Sequence, residues 1–344
     1  MPFHLILPGL LWPRKALRDT VHDLPLHNLS WLLGRGGLRW QESVPVETWL
    51  CRELGCAPAP QQPPAAALRL LGEGGRPGSD IWLCVDPVHL RIDQGRANLF
   101  GGDLDIRDDE MQELSDVLRR QLTEVGDYHA GASGRGYLRL RKLPHLITTP
   151  PSAVAGRGAL LPAGEDAGRW LRLVNETQML LHALPLNARR EAETRPRLNS
   201  LWLWGPGSLP DAAACPAHNY HQLIGNDLVL MGLAAWAGIA HHPEPDTPAP
   251  PVSSRATLLL LDGLRQAART LDAGQWRAAL MKIENGWLRT LRSALRAGRL
   301  GSLRITALGD EAVLDITVSG AAAMKFWRRP RLLHALPFPA ASGR

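Results

Sequence analysis

Residues 199–207 read Asn-Ser-Leu-Trp-Leu-Trp-Gly-Pro-Gly, and this stretch is the most informative part of the chain about its fold. An apolar run of this kind that ends in Gly-Pro-Gly predicts a buried strand followed by a turn. Downstream, Gly225-Asn226-Asp227 precedes an apolar helix predicted over residues 227–237. Such an arrangement presents backbone groups to a ligand at the carboxyl edge of an α/β sheet. The pattern therefore predicts a fold and a ligand-facing turn, but no particular reaction.

Strands and helices alternate on both sides of this stretch. Short apolar runs predict strands at 3–7, 81–87, 88–93, 97–100, 136–143, 198–204 and 257–263. Apolar periodicity predicts helices over 108–125, 168–184, 227–237 and 275–295, and two small helices between Trp31 and Leu54. Residues 303–308 and 312–318, joined by Gly309-Asp310, predict a hairpin. The predicted fold class is α/β, with a mixed sheet flanked by helices, a smaller inserted or N-terminal lobe and a C-terminal β-hairpin.

Two Pro-rich and Ala-rich stretches, 57–67 and 241–254, suggest boundaries because such compositions do not build a packed core. The predicted segments are an N-terminal strand with short helices at 1–56, a Pro/Gly-rich linker at 57–78, an α/β lobe at 79–150, a core segment with the strand and turn at 151–240, a Pro-rich loop at 241–255, a strand, long helix and hairpin at 256–331, and a tail at 332–344.

The charge of the chain bears on possible partners. Its 344 residues carry a formal net charge of +6, and nearly all of the cations are arginine. A bias towards Arg, Ala, Gly, Leu and Pro is what a GC-rich genome produces without selection for a partner, so the composition argues against nucleic acid. Only residues 325–331, Lys-Phe-Trp-Arg-Arg-Pro-Arg, resemble a nucleic-acid patch. The expectation for them is a terminal segment folded back on the domain by its aromatic residues.

The cysteines and the apolar runs predict a soluble cytoplasmic protein without a membrane partner. Four scattered cysteines suit a reducing compartment. The longest uncharged apolar run, 228–240, is shorter than the about 20 residues that a bilayer requires. The apolar residues 1–11 have no basic region before them, which is not the pattern of a signal peptide.

Several of these residues also carry a family resemblance. The stretch from Asn199 to Gly205 with Pro210, then Asp227, Gly232-Leu233-Ala234 and Gly238-Ile239, resembles the cofactor-independent phosphoglycerate mutases of archaeal type, which belong to the alkaline-phosphatase superfamily. A wider pattern resembles a group of bacterial proteins described as such mutases or as regulatory proteins of the RpfE type. That pattern comprises His4-Leu5, Trp12-Pro13, Asp86 to Leu90, Asn175 to His182, and Asn187.

The resemblance implies an alkaline-phosphatase-like core, two divalent metals and a Ser or Thr nucleophile at the sheet edge. In the mutases the first strand ends in an Asp-Gly metal site, whereas here residues 8–11 read Pro-Gly-Leu-Leu. The stretch that corresponds to a later metal cluster, 258–275, holds Asp262 and Asp272 but no histidine. The expected function is therefore that of a non-catalytic regulatory or ligand-binding protein. The alternative is a metal-dependent phosphoglycerate mutase or related phosphotransferase.

A polar group in and after the helix predicted over 168–184 is the main candidate binding site. Residues three and four apart share one face of a helix and could converge on a ligand. The alternative is that buried amides here bond to backbone groups at strand ends. The candidate ligand-binding residues are Asn175, Glu176, Gln178, His182, Asn187 and Asn199, together with Trp204, Gly205 and Gly207 of the strand and turn.

A metal site is a weaker hypothesis. Cys and His at short spacings are usual zinc ligands, but these residues lack the paired spacing of established zinc motifs, so solvated loop residues are the simpler interpretation. The candidate metal ligands are Cys215, His218, His221, Asp86, His89 and Asp262. No cofactor is predicted unless the enzyme alternative holds, in which case a divalent metal is required. The expected partner is a small molecule or a protein.

Overall fold

The computed structural model describes residues 2–57, 62–93, 96–100, 104–154, 162–215, 219–249 and 256–338. Parts of both Pro-rich stretches lie outside these residues, as does the candidate metal ligand His218. The chain forms two compact units. Unit 1 comprises Met1–Val46, Ala217–Asp227 and Gly238–Arg344, and unit 2 comprises Glu47–Pro216 and Leu228–Ala237.

The described residues contain these strands and helices. The strands are β1 (Pro2–Leu11), β2 (Gly37–Glu42), β3 (Ile81–Asp93), β4 (Arg96–Phe100), β5 (Gly126–Ala130), β6 (Gly136–Leu140), β7 (Ser200–Gly207), β8 (Gln222–Ile224), β9 (Ala240–His242), β10 (Thr257–Leu260), β11 (Ser302–Gly309) and β12 (Ala312–Ser319). The helices are α1 (Arg14–Val21), α2 (His27–Arg35), α3 (Val46–Glu53), α4 (Ala65–Gly72), α5 (Asp108–Gln121), α6 (Ala167–His182), α7 (Pro185–Ala192), α8 (Leu228–Ala237), α9 (Arg265–Thr270), α10 (Ala273–Ile283), α11 (Arg289–Arg296) and α12 (Gly320–Ala323).

Unit 1 is built on a seven-stranded mixed sheet with the order β2-β12-β11-β1-β10-β8-β9. Strands β11, β1, β10, β8 and β9 run parallel to one another, while β12 pairs antiparallel with both β11 and β2. One face of this sheet is apolar because alternate residues of its central strands, such as Leu5 and Leu7 of β1 and Leu303 and Ile305 of β11, are buried hydrophobic residues. Trp276 of α10 and Trp287 pack in the same core.

The predicted long helix over 275–295 is present and contains a π-helical segment. It consists of α10, a π-helical segment at Glu284–Leu288 and α11. The buried Glu284 carboxylate accepts hydrogen bonds from the backbone nitrogens of Asn28 and Leu29 at the start of α2. It thereby satisfies donors that the first turn of a helix leaves unpaired.

Unit 2 holds an antiparallel sheet in which β3 pairs with β4, β6 and β7, and β6 pairs with β5. Two sequence predictions are wrong here. Asp86-Pro87 does not end a strand, since β3 continues from Ile81 to Asp93. Nor do residues 205–207 form a turn at the edge of a parallel sheet, because they belong to β7, which pairs antiparallel with β3 through a bulge.

The predicted fold class, a mixed α/β sheet flanked by helices, is confirmed. The C-terminal hairpin is present as β11 and β12. Between Trp31 and Leu54 the structure has the end of α2, then strand β2, then α3, so the prediction of two small helices missed a strand. None of the helices in the described ranges is long and apolar enough to cross a membrane.

Candidate functional site

The carboxyl edge of the parallel strands in unit 1 carries a compact group of charges. Strand β8 ends at Ile224 and leads to Asp227, and β10, its parallel neighbour, ends at Leu260 and leads to Asp262. The Nη2 atom of Arg265 lies 2.9 Å from an oxygen of Asp227 and 3.1 Å from an oxygen of Asp262. The Asp227 side chain is only 7 % exposed. We call Asp227, Asp262 and Arg265 the edge triad.

The end of β1, which lies beside β10, is closed by backbone and apolar groups. Gly9 has a φ of +81°, a conformation that favours glycine. A Cβ atom at this position would lie 2.9 Å from the Cβ of Ala268 and 3.1 Å from the carbonyl oxygen of Leu264. The indole nitrogen of Trp276 donates to the Gly9 carbonyl at 2.7 Å. Packing of Leu264 and Ala268 therefore accounts for glycine at position 9, and the residue before it, where the resemblance implies a metal-binding aspartate, is Pro8, whose side chain has no ligand atom.

The donor set at this edge does not fit a two-metal centre. Asp262 and Asp227 share a guanidinium, and Asp272 is the N-cap of α10, where it accepts a bond from the backbone nitrogen of Gln275. A metal would need carboxylates whose lone pairs are available, and an arginine among them repels a cation. Within the described ranges, no three His, Cys, Asp or Glu side chains are grouped so as to hold a metal ion.

A second polar feature of unit 1 is a hydrogen-bonded row on the sheet that the sequence did not predict. Nδ1 of His4 lies 2.7 Å from the hydroxyl of Tyr220, and Nε2 lies 2.8 Å from Oγ1 of Thr306. The Thr306 hydroxyl donates to Asp315, which also pairs with Arg304 at 3.0 Å. Burial, with a smaller contribution from Arg304, holds the pKa of His4 well below its usual range. His4 is therefore neutral near pH 7 and bridges two hydroxyl groups.

The amides of the sequence-predicted polar group bond mainly to backbone. The side chain of Asn187 is buried and bonds to the carbonyls of Leu181 and Leu198 and to the nitrogen of Leu198. Asn199 bonds both the nitrogen and the carbonyl of Leu90 at 2.7 and 2.8 Å. These contacts tie α7 and β3 to the start of β7. They give both residues the backbone-capping role that was the alternative to ligand binding.

The remaining polar residues of α6 have separate surroundings. Gln178 donates to Oγ of Ser200 at 2.7 Å, while His182 lies 3.4 Å from Arg197. Asn175 and Glu176 are exposed. A groove of about 420 Å³ runs between the ends of α5 and α6, and it is lined by Val117, Arg120, Gln121, Leu180, Ala183 and Leu184. Ligand binding by the polar group remains a prediction.

Trp204 and Asp86 belong to one buried polar cluster in unit 2. The Asp86 carboxylate accepts hydrogen bonds from both terminal nitrogens of Arg69, at 2.7 and 2.8 Å, and from the indole nitrogen of Trp204 at 2.8 Å. The Arg69 guanidinium also packs over the rings of Trp204 and Tyr137. Burial raises the pKa of Tyr137 beyond its usual range. We call this group the Arg69–Asp86 cluster.

The two candidate glycines lie further along β7. Gly205 has a φ of +64°, and its Cβ would lie 2.7 Å from the Cβ of Ala65 at the start of α4. Gly207 pairs with Trp82 of β3. Close packing of α4 on β7 therefore accounts for glycine at position 205.

The candidate metal ligands are distributed over both units. In unit 2, Asp86 is held by Arg69, His89 Nδ1 lies 2.9 Å from the carbonyl of Arg197, and Cys215 is half-buried. In unit 1, His221 is exposed and Asp262 belongs to the edge triad. The sequence pointed to Asp262 but not to the triad, because the contact of Arg265 with Asp227 depends on the pairing of β8 with β10, which joins distant parts of the chain.

Comparison with known proteins gives partial matches. No family model matches the chain. It is 35 % identical over 96 residues to a probable 2,3-bisphosphoglycerate-independent phosphoglycerate mutase of Geobacter sulfurreducens, covering 27 % of this chain and 24 % of that protein. It is 30 % identical over 186 residues to such a mutase of Methanosarcina acetivorans, covering 46 % of this chain and 43 % of that protein. The chain thus spans less than half the length of these relatives.

Among solved structures, the PH0037 protein of Pyrococcus horikoshii aligns with 97 % of this chain and 91 % of its own. The TM-score is 0.54 and the identity is 17 %, so this match concerns the fold alone. The chain is therefore similar in sequence, over part of its length, to the 2,3-bisphosphoglycerate-independent phosphoglycerate mutases.

Proposed function

We propose that this protein is a mutase-like scaffold that acts in regulation by binding a small molecule or a protein, and that it does not transfer phosphoryl groups. The observation that carries the proposal is the edge triad. Arg265 joins Asp227 and Asp262 at the strand ends where the resemblance implies divalent metals. An arginine stays protonated at any physiological pH, so the positive charge at this edge is permanent.

The chemistry of the mutases explains why an arginine at this edge matters. Phosphoryl transfer is catalysed largely by positioning and by neutralising the charge of the transferring group, for which these enzymes use metal ions. Arg265 compensates the carboxylates within the protein and leaves a lower net negative charge to attract a cation. Pro8, at the position where the resemblance implies a metal-binding aspartate, supports the same conclusion, because a proline side chain has no atom that ligates a metal.

We further propose a cytoplasmic location and no resident cofactor. Cys51, Cys56 and Cys84 are buried free thiols, a state that suits a reducing compartment.

The binding surface that we favour lies in unit 2, where the groove between α5 and α6 adjoins exposed Met179 and Leu180.

The second candidate function is that of a metal-dependent phosphoglycerate mutase. The observation in its favour is the sequence similarity to proteins with that name, which reaches 35 % identity over 96 residues. In this alternative the ligand-bound state would rearrange the edge triad, with Arg265 moving away from one or both carboxylates.

Mutase activity of protein prepared without metal, assayed with and without added Mn²⁺, Mg²⁺ or Zn²⁺, separates the two functions. We expect no turnover from protein whose circular dichroism spectrum shows that it is folded. Turnover that depends on a metal would refute our proposal and establish the enzyme.

The variant Arg265→Ala provides a second readout, with Arg289→Ala, an exposed arginine of α11, as its matched control. Removal of the Arg265 charge makes the edge more negative, so we expect Mn²⁺ to raise the melting temperature of Arg265→Ala more than that of the wild type or the control. Equal responses to Mn²⁺ in all three proteins would contradict the role that we assign to Arg265.

A further inference from the structure

The segment 325–331, which we call the basic strap, lies directly on helix α2 in unit 1. The backbone nitrogen of Arg331 donates to the Ser30 carbonyl at 3.0 Å, and Nη1 of Arg328 donates to the carbonyl of Arg35 at 3.3 Å. A Cβ atom on Gly34 would lie 2.2 Å from the carbonyl oxygen of Arg329, so the strap approaches α2 as closely as glycine allows. Contacts that involve backbone groups of both segments therefore hold the strap in place.

The aromatic residues of the strap point to solvent. Phe326 is 85 % exposed and Trp327 is 65 % exposed, and their rings meet edge to face with centroids 5.2 Å apart. The expectation that these aromatics fold the segment back on the domain is therefore wrong. Two large rings that stay in water beside exposed Arg328, Arg329 and Arg331 need another explanation.

Beneath the strap lies a buried arginine whose hydrogen-bonding capacity is not fully used. Arg35 is 7 % exposed, and its Nε and Nη1 atoms have no hydrogen-bond partner. Its guanidinium lies 4.4 Å from the ring centroid of Trp31, and that of Arg292 lies 5.3 Å from the same centroid. Burial, then Arg292 and Arg296, lower the pKa of Arg35. Three arginines are thus held close enough to repel one another.

No described carboxylate forms an ion pair with this group, although the charge of Glu284 acts on Arg292. The ion pairs found among the described residues, with a limit of 4.0 Å between nitrogen and oxygen, include none of the cations concerned. These cations are Arg35, Arg292, Arg296, Lys325, Arg328, Arg329 and Arg331. The nearby buried Glu284 instead accepts hydrogen bonds from two backbone nitrogens of α2. An anion from outside the chain would supply charge and acceptor atoms to the exposed arginines of this group, such as Arg296, Arg329 and Arg331.

We propose that the basic strap and the arginines of α2 and α11 form a binding site for single-stranded nucleic acid. Arginine forks match phosphate oxygens in pairs, and six of the seven cations are arginine. Exposed Phe326 and Trp327 supply faces on which unpaired bases stack. In duplex DNA the bases are already stacked on each other, so these rings favour a single strand.

An anionic membrane surface fits this patch less well. Interfacial binding usually relies on an amphipathic helix with a wide apolar face. The helix that precedes the strap, α12, has four residues, Gly320–Ala323, and three of them are alanine. The strap itself presents two rings within a charged segment and not a continuous apolar face.

Fluorescence anisotropy with a labelled oligodeoxythymidylate of about 20 nucleotides tests the proposal on the full chain. We expect wild-type protein to bind at about 50 mM salt and to lose affinity steeply as salt increases. The double variant Phe326→Ala/Trp327→Ala, which changes only exposed side chains, should bind about tenfold or more weakly with the salt dependence retained. Arg329→Gln/Arg331→Gln should also bind more weakly, with a salt slope smaller by about 1 to 2.

The matched control is Lys142→Gln/Arg172→Gln, which removes two exposed positive charges from unit 2. We expect it to bind as the wild type does. The proposal is overturned if the wild type does not bind the oligonucleotide, if the control loses as much affinity as the strap variants, or if a matched duplex binds more tightly. The proposal is also overturned, in favour of a membrane surface, if the protein sediments with phosphatidylserine vesicles but does not bind the oligonucleotide.

Discussion

Replacing Asp86 with asparagine decides whether this carboxylate is a structural anchor or a metal ligand. Asp86 accepts two bonds from Arg69, one from Trp204 and one from the backbone nitrogen of Gly136 at 3.1 Å. The Arg69 side chain is 7 % exposed and that of Asp86 is 15 % exposed. Asparagine has a similar shape but no charge, so the variant leaves a buried guanidinium uncompensated.

The magnitude follows from that burial. Removing one partner of a buried ion pair costs about 3–5 kcal/mol, and we take about 3 kcal/mol because asparagine keeps one acceptor oxygen. For a unit of this size, each kcal/mol lowers the melting temperature by about 2–4 °C, so the expected decrease is about 6–12 °C. Thermal unfolding followed by circular dichroism, in buffer with a chelator, measures it.

The control variant is Asp127→Asn, which breaks an exposed ion pair with Arg139 in the same unit. Solvent screens this pair, so the melting temperature should stay close to that of the wild type. Our account of the Arg69–Asp86 cluster would be refuted if Asp86→Asn melted at the same temperature as the control in buffer with a chelator and differed from the wild type only in losing a stabilisation by added metal. That result would make Asp86 a metal ligand.

Three further predictions concern local features of the fold. The pKa of His4 is lowered in the native protein, so the unfolded chain binds a proton at this residue at a higher pH than the native chain does. The free energy of unfolding should therefore fall as the pH decreases below about 6.5. His4→Asn should lessen this loss, as measured by denaturant titrations across pH. Gly205→Ala should destabilise the protein by about 2 kcal/mol or more because of its positive φ and its contact with α4, whereas Gly37→Ala, which meets no neighbouring atom, should not. Asp272→Ala should lower the unfolding free energy by about 1 kcal/mol through loss of the cap on Gln275, and a loss of metal binding in its place would contradict that role.

Local patterns predicted most elements of the fold but not their pairing. Residues 303–318 alternate and turn as a hairpin does, and the structure has that hairpin. The composition Gly205-Pro206-Gly207 predicted a turn, yet pairing of Gly207 with Trp82 of a distant segment keeps these residues in a strand. Long-range pairing thus overrides local turn preference, and neither propensity nor periodicity contains that information.

The candidate site depended even more on distant contacts. Asp262 was a candidate because it lies in the stretch that corresponds to a metal cluster of the mutases. Arg265 is only three residues away, but Asp227 joins the pair only because β8 lies beside β10. The row from His4 to Asp315 similarly needs the register of β1, β11 and β12. A polar Thr306 and Asp315 facing each other in otherwise apolar strands were the available signal.

The order of segments along the chain has a consequence for how the protein is made. Strand β1 is synthesised long before its neighbours in the sheet, since Phe3 pairs with Thr257 and Leu303, which are about 250 and 300 residues further on. At about 5–20 residues per second, a ribosome needs on the order of 10–50 s to deliver the first of these partners. During that time an apolar strand without neighbours is open to pairing with other nascent chains. The speed of translation through the intervening segment should therefore influence how much native protein a cell obtains.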